Sequence, residues 1–237
     1  MYQTDLVDML RKYKSFHPVL PFDPVSDKLL SFDFTAANDQ LSADVLNDIN
    51  KFCRYIDDQL ADNKAIYGIG GYAEHRTIYS RSNLFDAQHP GEEPRRLHLG
   101  IDVWGKAGTP ISAPLDGRVH SFAFNDKTGD YGTTIILSHQ LNNVTFFTLY
   151  GHLDLASIKN LQEGNEIKKG EIFTTLGVPA ENGHWPPHLH FQLIKNLEGR
   201  SGDYPGVCKF SEREYYLQNC PDPDLILQMN KYVKNLG

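Results

Sequence analysis

The feature that most constrains the fold is a change of period near residue 68. Upstream, Leu41, Val45, Ile49, Phe52, Ile56 and Leu60 recur every three or four residues and share one helical face. That spacing predicts one long helix, with the side-chain oxygen of Asp39 or Ser42 capping its free N–H groups. Leu6, Met9, Leu10 and Tyr13 keep the same spacing and predict a shorter helix over residues 2–14. Pro18, Pro21 and Pro24 then hold the chain extended.

Downstream of Gly68, Gly70 and Gly71 the texture becomes short apolar alternation broken by Gly and Pro, as strands and turns require. Residues 109–114 and 117–124 read as neighbouring strands about Leu115-Asp116-Gly117. Residues 132–139 and 145–152 read as a hairpin about Leu141-Asn142-Asn143, because Asn tolerates left-handed backbone. Residues 189–194 form a further strand, and Glu163-Gly164-Asn165 and Lys168-Lys169-Gly170 are polar turns. A short helix is expected over 211–217, and Asp222-Pro223 opens another. The fold class is α+β: an antiparallel β core flanked by helices. The expected division is a helical extension over 1–70, a β domain over 71–205 and a helical tail over 206–237.

A chain of 237 residues buries a core without disulfides. Cys53, Cys208 and Cys220 lie far apart with no Cys-x-x-Cys pair, which argues against a disulfide framework and a thiolate zinc site. The net charge of -7 disfavours nucleic acid, and no Lys/Arg run suggests an anionic membrane. Asp5, Asp8, Arg11, Lys12 and Lys14 interrupt any apolar leader, and no stretch reaches the length of a membrane span. The sequence as written is expected to be cytoplasmic, or exported if a leader has been removed. It does not specify an oligomeric state.

Two short runs carry chemistry. In Leu97-His98-Leu99-Gly100-Ile101-Asp102-Val103, strand alternation puts His98, Gly100 and Asp102 on one face, with space for a metal over Gly100. In His188-Leu189-His190-Phe191-Gln192 two imidazoles share a face. Together they offer three imidazoles and a carboxylate, a set that suits zinc. A further histidine ends a strand at Tyr150-Gly151-His152-Leu153. Each motif alone has a plainer reading as packed or solvated strand histidines.

In order along the chain stand His98-x-x-x-Asp102, Gly108-Thr109-Pro110, Ala113-Pro114, Asp116-Gly117, Tyr131-Gly132, Tyr150-Gly151-His152-Leu153, Gly164, Lys169-Gly170 and His188-Leu189-His190-Phe191. This ordered set resembles the lysostaphin-type zinc endopeptidases, which cleave peptide cross-links in bacterial cell walls. The resemblance covers about residues 98–193. It implies an open, largely antiparallel sheet with its site in a groove. It further implies that His98, Asp102 and His190 bind Zn2+, while His152 and His188 flank the reacting water as general acid and base. The implied activity is hydrolysis of a peptide bond, in a peptide or muropeptide substrate. No His-Glu-x-x-His helix exists to supply a glutamate base.

The sequence departs from that pattern at Asn182-Gly183-His184-Trp185-Pro186-Pro187, where Trp and Pro stiffen and enlarge the groove wall. No cell-wall-binding repeat follows the core. The alternative function is therefore a non-catalytic or partner-regulated zinc-containing binding module. His139 reads as structural and His184 as an exposed loop residue, and His17, His75, His89 and His120 are given no role. Arg76, Tyr79 and Arg81 read as a solvated strand face in preference to a contact with a substrate carboxylate.

Overall fold

The computed structural model of the chain describes residues 5–234. Before the period change stand α1 (Leu6–Lys12), β1 (Leu29–Phe32), α2 (Ala43–Asn47) and α3 (Ile49–Asp62). The first residues of the helix expected over 2–14, up to residue 4, lie outside the described residues. The single long helix expected from Leu41 onward is two. Asp48 has an extended backbone and its carboxylate accepts from the N–H groups of Asn50 and Lys51, so it caps a new helix where the old one was to continue. Ser42, rather than Asp39, caps the first of the pair.

The remaining strands are β2 (Tyr67–Gly70), β3 (Leu97–His98), β4 (Ile101–Trp104), β5 (Pro110–Ser112), β6 (Gly117–Asn125), β7 (Gly132–Leu141), β8 (Val144–Leu153), β9 (Glu166–Ile167), β10 (Ile172–Thr175), β11 (His188–Ile194), β12 (Val207–Cys208) and β13 (Val233–Lys234). Helices α4 (Arg213–Asn219) and α5 (Asp224–Leu227) close the chain. Nine strands form one sheet in the order β13-β1-β2-β4-β11-β8-β7-β6-β9. Its pairings are antiparallel except β1 with β2 and with β13. The β7–β8 hairpin turns through Asn142 and Asn143, both with positive φ. The strands over 109–114 and 117–124 are not neighbours: β5 pairs with β10, and β6 pairs with β7 and β9. Leu115-Asp116-Gly117 is thus a crossing between two sheets.

Alternation sorts the central strands into two faces. Ile101, Val103, Leu189, Phe191 and Leu193 point into one apolar core with Ile135, Leu137 and Tyr150. Asp102, Trp104, His188, His190 and Gln192 take the opposite face. There Phe52 and Ile56 of α3, Phe32 of β1 and Phe34 just after it pack with Trp104 and Trp185 in a second core. β1 and β2 therefore extend the sheet and α3 walls one side of the site face, while α1 packs on the first core through Leu6, Met9 and Leu10.

Candidate metal centre

His98 and Asp102 do not share one strand. His98 ends β3, which pairs with β12, while Asp102 lies on β4, between β2 and β11. Gly100 sits at the break. A Cβ there would lie 2.6 Å from His190 Cε1 and 2.8 Å from the Phe191 carbonyl oxygen. Its role is thus to admit the His190 ring, not to leave space over a flat strand face as expected. His190 and Asp102 face each other in the β11–β4 register.

Three donor atoms converge. His98 Nε2 lies 3.0 Å from His190 Nδ1 and 3.2 Å from Asp102 Oδ1, and His190 Nδ1 lies 3.0 Å from the same oxygen. Among the described residues, this is the cluster of three that could hold a metal ion. The hydrogen bonds around it fix the tautomers. His98 Nδ1 faces the Gly71 carbonyl at 3.0 Å, which can only accept, so the proton is there and Nε2 is bare. Gln192 donates its amide N–H to the Pro205 carbonyl at 3.1 Å, which turns its oxygen to His190 Nε2 at 2.9 Å. His190 Nδ1 is bare in turn. Two bare nitrogens and a carboxylate oxygen within 3.2 Å of one another repel unless a cation sits among them. A tetrahedral zinc about 2.0–2.1 Å from each would set edges of about 3.3 Å, so the donor set fits this ion.

Asp102 is held on its other side. Arg76 is fully buried and pairs with Asp102 Oδ2 and with Glu74, and its Nη1 donates to the Tyr79 hydroxyl. Burial works against a charged Asp102; the Arg76 guanidinium is among the groups that outweigh it and keep the carboxyl well below its usual range. The solvated-face reading of Arg76 and Tyr79 is wrong. Tyr79 lies on a short 3-10 turn, Ile78–Arg81, under the second core, and Arg76 spends its charge on Asp102. Arg81 packs over the Trp185 ring at 4.5 Å and donates to the Leu46 and His184 carbonyls.

Two further imidazoles stand beside the cluster. His188 Nε2 is 4.0 Å from Asp102 Oδ1, and its ring lies 4.0 Å from that of His152. Each is anchored through Nδ1, His188 to the Pro186 carbonyl at 2.8 Å and His152 to the Asn182 carbonyl at 2.7 Å. Both therefore keep a bare Nε2. The His188 ring is stacked on Trp104 at 3.9 Å. Strict alternation after Tyr150 would send His152 into the apolar core. A left-handed backbone at His152, φ 64°, re-aims it, and Leu153 returns to the core. Burial pushes His98 and His188 down to about 4 and His152 well below the ordinary imidazole value, so all three are neutral near pH 7.

The sequence reading missed the supports: Arg76, Gln192, and the carbonyls of Gly71, Asn182 and Pro186. In the sequence Arg76 reads as a solvated face and the Asn182–Pro187 segment as a groove wall, neither as a support. Asn182 is buried and ties that segment together, donating to the Gly177 and Trp185 carbonyls and accepting from Trp185 N. Asp102, His152, His188 and His190 line one cleft of about 190 Å³, walled by Tyr79, Phe85, Trp104, Trp185 and Val207. His139 is buried elsewhere, and His184 is exposed on its loop. Cys53, Cys208 and Cys220 are free. No described helix is long and apolar enough to cross a membrane.

Residues 96–201 match the family model described as Peptidase family M23. The chain is 34% identical over 137 residues to "DD-carboxypeptidase/endopeptidase Mpg" of Neisseria meningitidis, covering 57% of this chain and 29% of that protein. It is 29% identical over 149 residues to "L-Ala--D-Glu endopeptidase" of Bacillus subtilis, covering 59% of this chain and 43% of the relative. The chain thus spans less than half the length of either relative. Among solved structures, the catalytic domain of lysostaphin from Staphylococcus simulans superposes with a TM-score of 0.39 at 18% identity, over 69% of this chain and 96% of that one.

Proposed function

Because the chain belongs to the lysostaphin-type M23 peptidase family through residues 96–201, we propose that it is a zinc-dependent hydrolase of peptide bonds, with His98, Asp102 and His190 as metal ligands. The observation that carries this is the set of bare donor atoms. Three lie within 3.2 Å of one another, and two more imidazoles present a free Nε2 to the same cleft.

Zinc, when bound, supplies Lewis acidity, which brings the pKa of water to about 7 and stabilises negative charge growing on a carbonyl oxygen. The chain does the rest. His98, Asp102 and His190 would hold the ion with three protein ligands and leave it accessible to the reactants. Arg76 holds Asp102 Oδ2, so Oδ1 alone is presented to the cluster. Gln192 and the Gly71 carbonyl keep the ligand nitrogens unprotonated. Of His152 and His188, one would receive the proton of the attacking water at its Nε2 and pass that proton to the leaving nitrogen, with the other ring beside it in the cleft. The Trp104 and Trp185 wall excludes bulk water from this exchange.

We place the substrate among peptidoglycan-type peptides, in line with the names of the two relatives. Purified chain is expected to hold about one zinc ion, measured by elemental analysis, and to cut at least one member of a muropeptide panel. Chelation should abolish cleavage and added zinc restore it. A metal-free protein would remove the metal site. Zinc without turnover on the panel would favour the binding-module reading.

A further inference from the structure

Residues 182–187 hold both imidazoles that stand beside the metal cluster. The Asn182 carbonyl accepts from His152 Nδ1 at 2.7 Å, and the Pro186 carbonyl accepts from His188 Nδ1 at 2.8 Å. The segment itself forms neither helix nor strand. Gly183 and His184 both have left-handed backbone, with φ of 80° and 64°. That conformation is costly for a residue with a Cβ, so it persists at His184 only where the surroundings impose it. The Asn182 side chain ties the segment from within, to Trp185 and Gly177. A second tie comes from outside.

That tie is Arg81. Its Nη1 donates at 2.9 Å to the carbonyl of His184, which lies along the chain between the two residues that anchor the imidazoles. Its Nε donates at 3.0 Å to the Leu46 carbonyl in the last turn of α2, where helical carbonyls lack partners of their own. The guanidinium stands 4.5 Å from the Trp185 ring and 5.6 Å from the ring of Phe52 on α3. Among the described residues, no carboxylate lies within 4.0 Å of it. A half-buried charge is thus spent on two carbonyls and two ring faces. The rigid, planar fork of arginine suits this use, because one side chain spans two acceptors at a fixed angle.

Trp185 completes the link. Its ring lies 6.4 Å from Phe52, 6.3 Å from His152 and 6.2 Å from His188. Arg81, α2 and α3 all precede the stretch that matches the peptidase family, residues 96–201. Arg81 does not line the cleft. A shift of the His184 carbonyl carries the Asn182 and Pro186 carbonyls with it, since each is two residues away on a segment closed on itself by Asn182. We propose that Arg81 is a positioning residue: by clamping residues 182–187 to the N-terminal helices it sets the aim of the His152 and His188 rings. The N-terminal helices are then a working part of the site. The proposal rests on the peptidase reading for the reaction those rings serve, and the aim of the rings is tested without turnover.

The test uses the zinc-loaded full chain with isotope-labelled histidines and two variants. Arg81→Met keeps an apolar stem over Trp185, and Arg81→Lys keeps the charge but not the fork. NMR reads how fast each imidazole Nδ1 proton exchanges with water. His98, anchored to the Gly71 carbonyl outside the segment, is the internal control. Arg81→Met is expected to speed this exchange about tenfold at His152 and His188 while His98 stays within about twofold, with Arg81→Lys between the two. Zinc should stay at about one per chain. On a muropeptide that the wild type cuts, kcat should fall about 10–100-fold and KM change by less than about threefold, as for groups that orient reacting ones. Unchanged exchange at His152 and His188 would overturn the proposal. So would equal acceleration at all three histidines, which is general loosening, or loss of zinc, or a raised KM at unchanged kcat. A wild type that shows the exchange pattern but cuts nothing in the panel sinks the peptidase reading and leaves the positioning role standing.

Discussion

Two buried histidines with the same pKa direction do opposite things. His98 and His139 are both almost inaccessible to solvent, and burial pushes each down to about 4. His139 Nδ1 donates to the Asp116 carbonyl at 2.9 Å, and its Nε2 meets the Thr148 hydroxyl at 2.7 Å. Both of its nitrogens are satisfied. His98 also gives one nitrogen to a carbonyl, but the other faces only a bare imidazole nitrogen and a carboxylate oxygen. Burial and a shifted pKa therefore do not separate a functional histidine from a structural one. What separates them is an unmatched lone pair that the fold holds in place at a cost.

The sharpest way to break this contrast is to truncate one histidine of each kind. His98→Ala is expected to lose the zinc and lower peptide hydrolysis by more than about a thousandfold, because the Lewis acid goes with the ligand. Metal content and initial rate, measured on the same preparation, check it. A variant that keeps stoichiometric zinc would mean that His98 is not a ligand. The next largest effect separates two kinds of bare nitrogen within the cleft. His152→Ala should keep zinc and lose about 10²–10⁴-fold in rate, the range for a proton-transfer group. Loss of zinc instead would move His152 into the ligand set.

The residues of the candidate site were legible in the sequence, while the frame that aims them was not. His98, Asp102, His188 and His190 lie in runs with apolar residues at the alternate positions, so a local pattern exposes them. Their supports come from far along the chain: Gly71 is 27 residues from His98, Arg76 is 26 from Asp102, and Asn182 is 30 from His152. No local period encodes such pairs. Arg76 in particular sits in a stretch of polar residues, Glu74 to Ser82, whose composition suggests solvent. A buried carboxylate ligand needs a buried cation, and only the fold shows which cation it takes. The same holds for the helix break at Asp48. The apolar period runs through it undisturbed, and the capping carboxylate decides where the backbone restarts.

The smallest expected effect tests the other side of the contrast, that His139 serves stability alone. Its folded pKa of about 4 lies below the ordinary imidazole value of 6.5, so the unfolded chain takes up the proton first as pH falls. The sign follows: the contribution is fully present above pH 6.5 and is lost progressively as pH drops toward 4, by up to about 3 kcal/mol. His139→Gln keeps an amide donor and acceptor but cannot titrate. Urea unfolding at pH 7 and pH 4.5 should show a smaller pH-dependent loss in the variant than in wild type, with zinc content and peptide hydrolysis at pH 7 unchanged. The other buried histidines titrate in both proteins, so the difference between the two isolates position 139. Equal losses would show that the closed hydrogen bonds of His139 do not depend on its neutral form. A loss of hydrolysis at unchanged stability would make it part of the site and remove the distinction between matched and unmatched nitrogens.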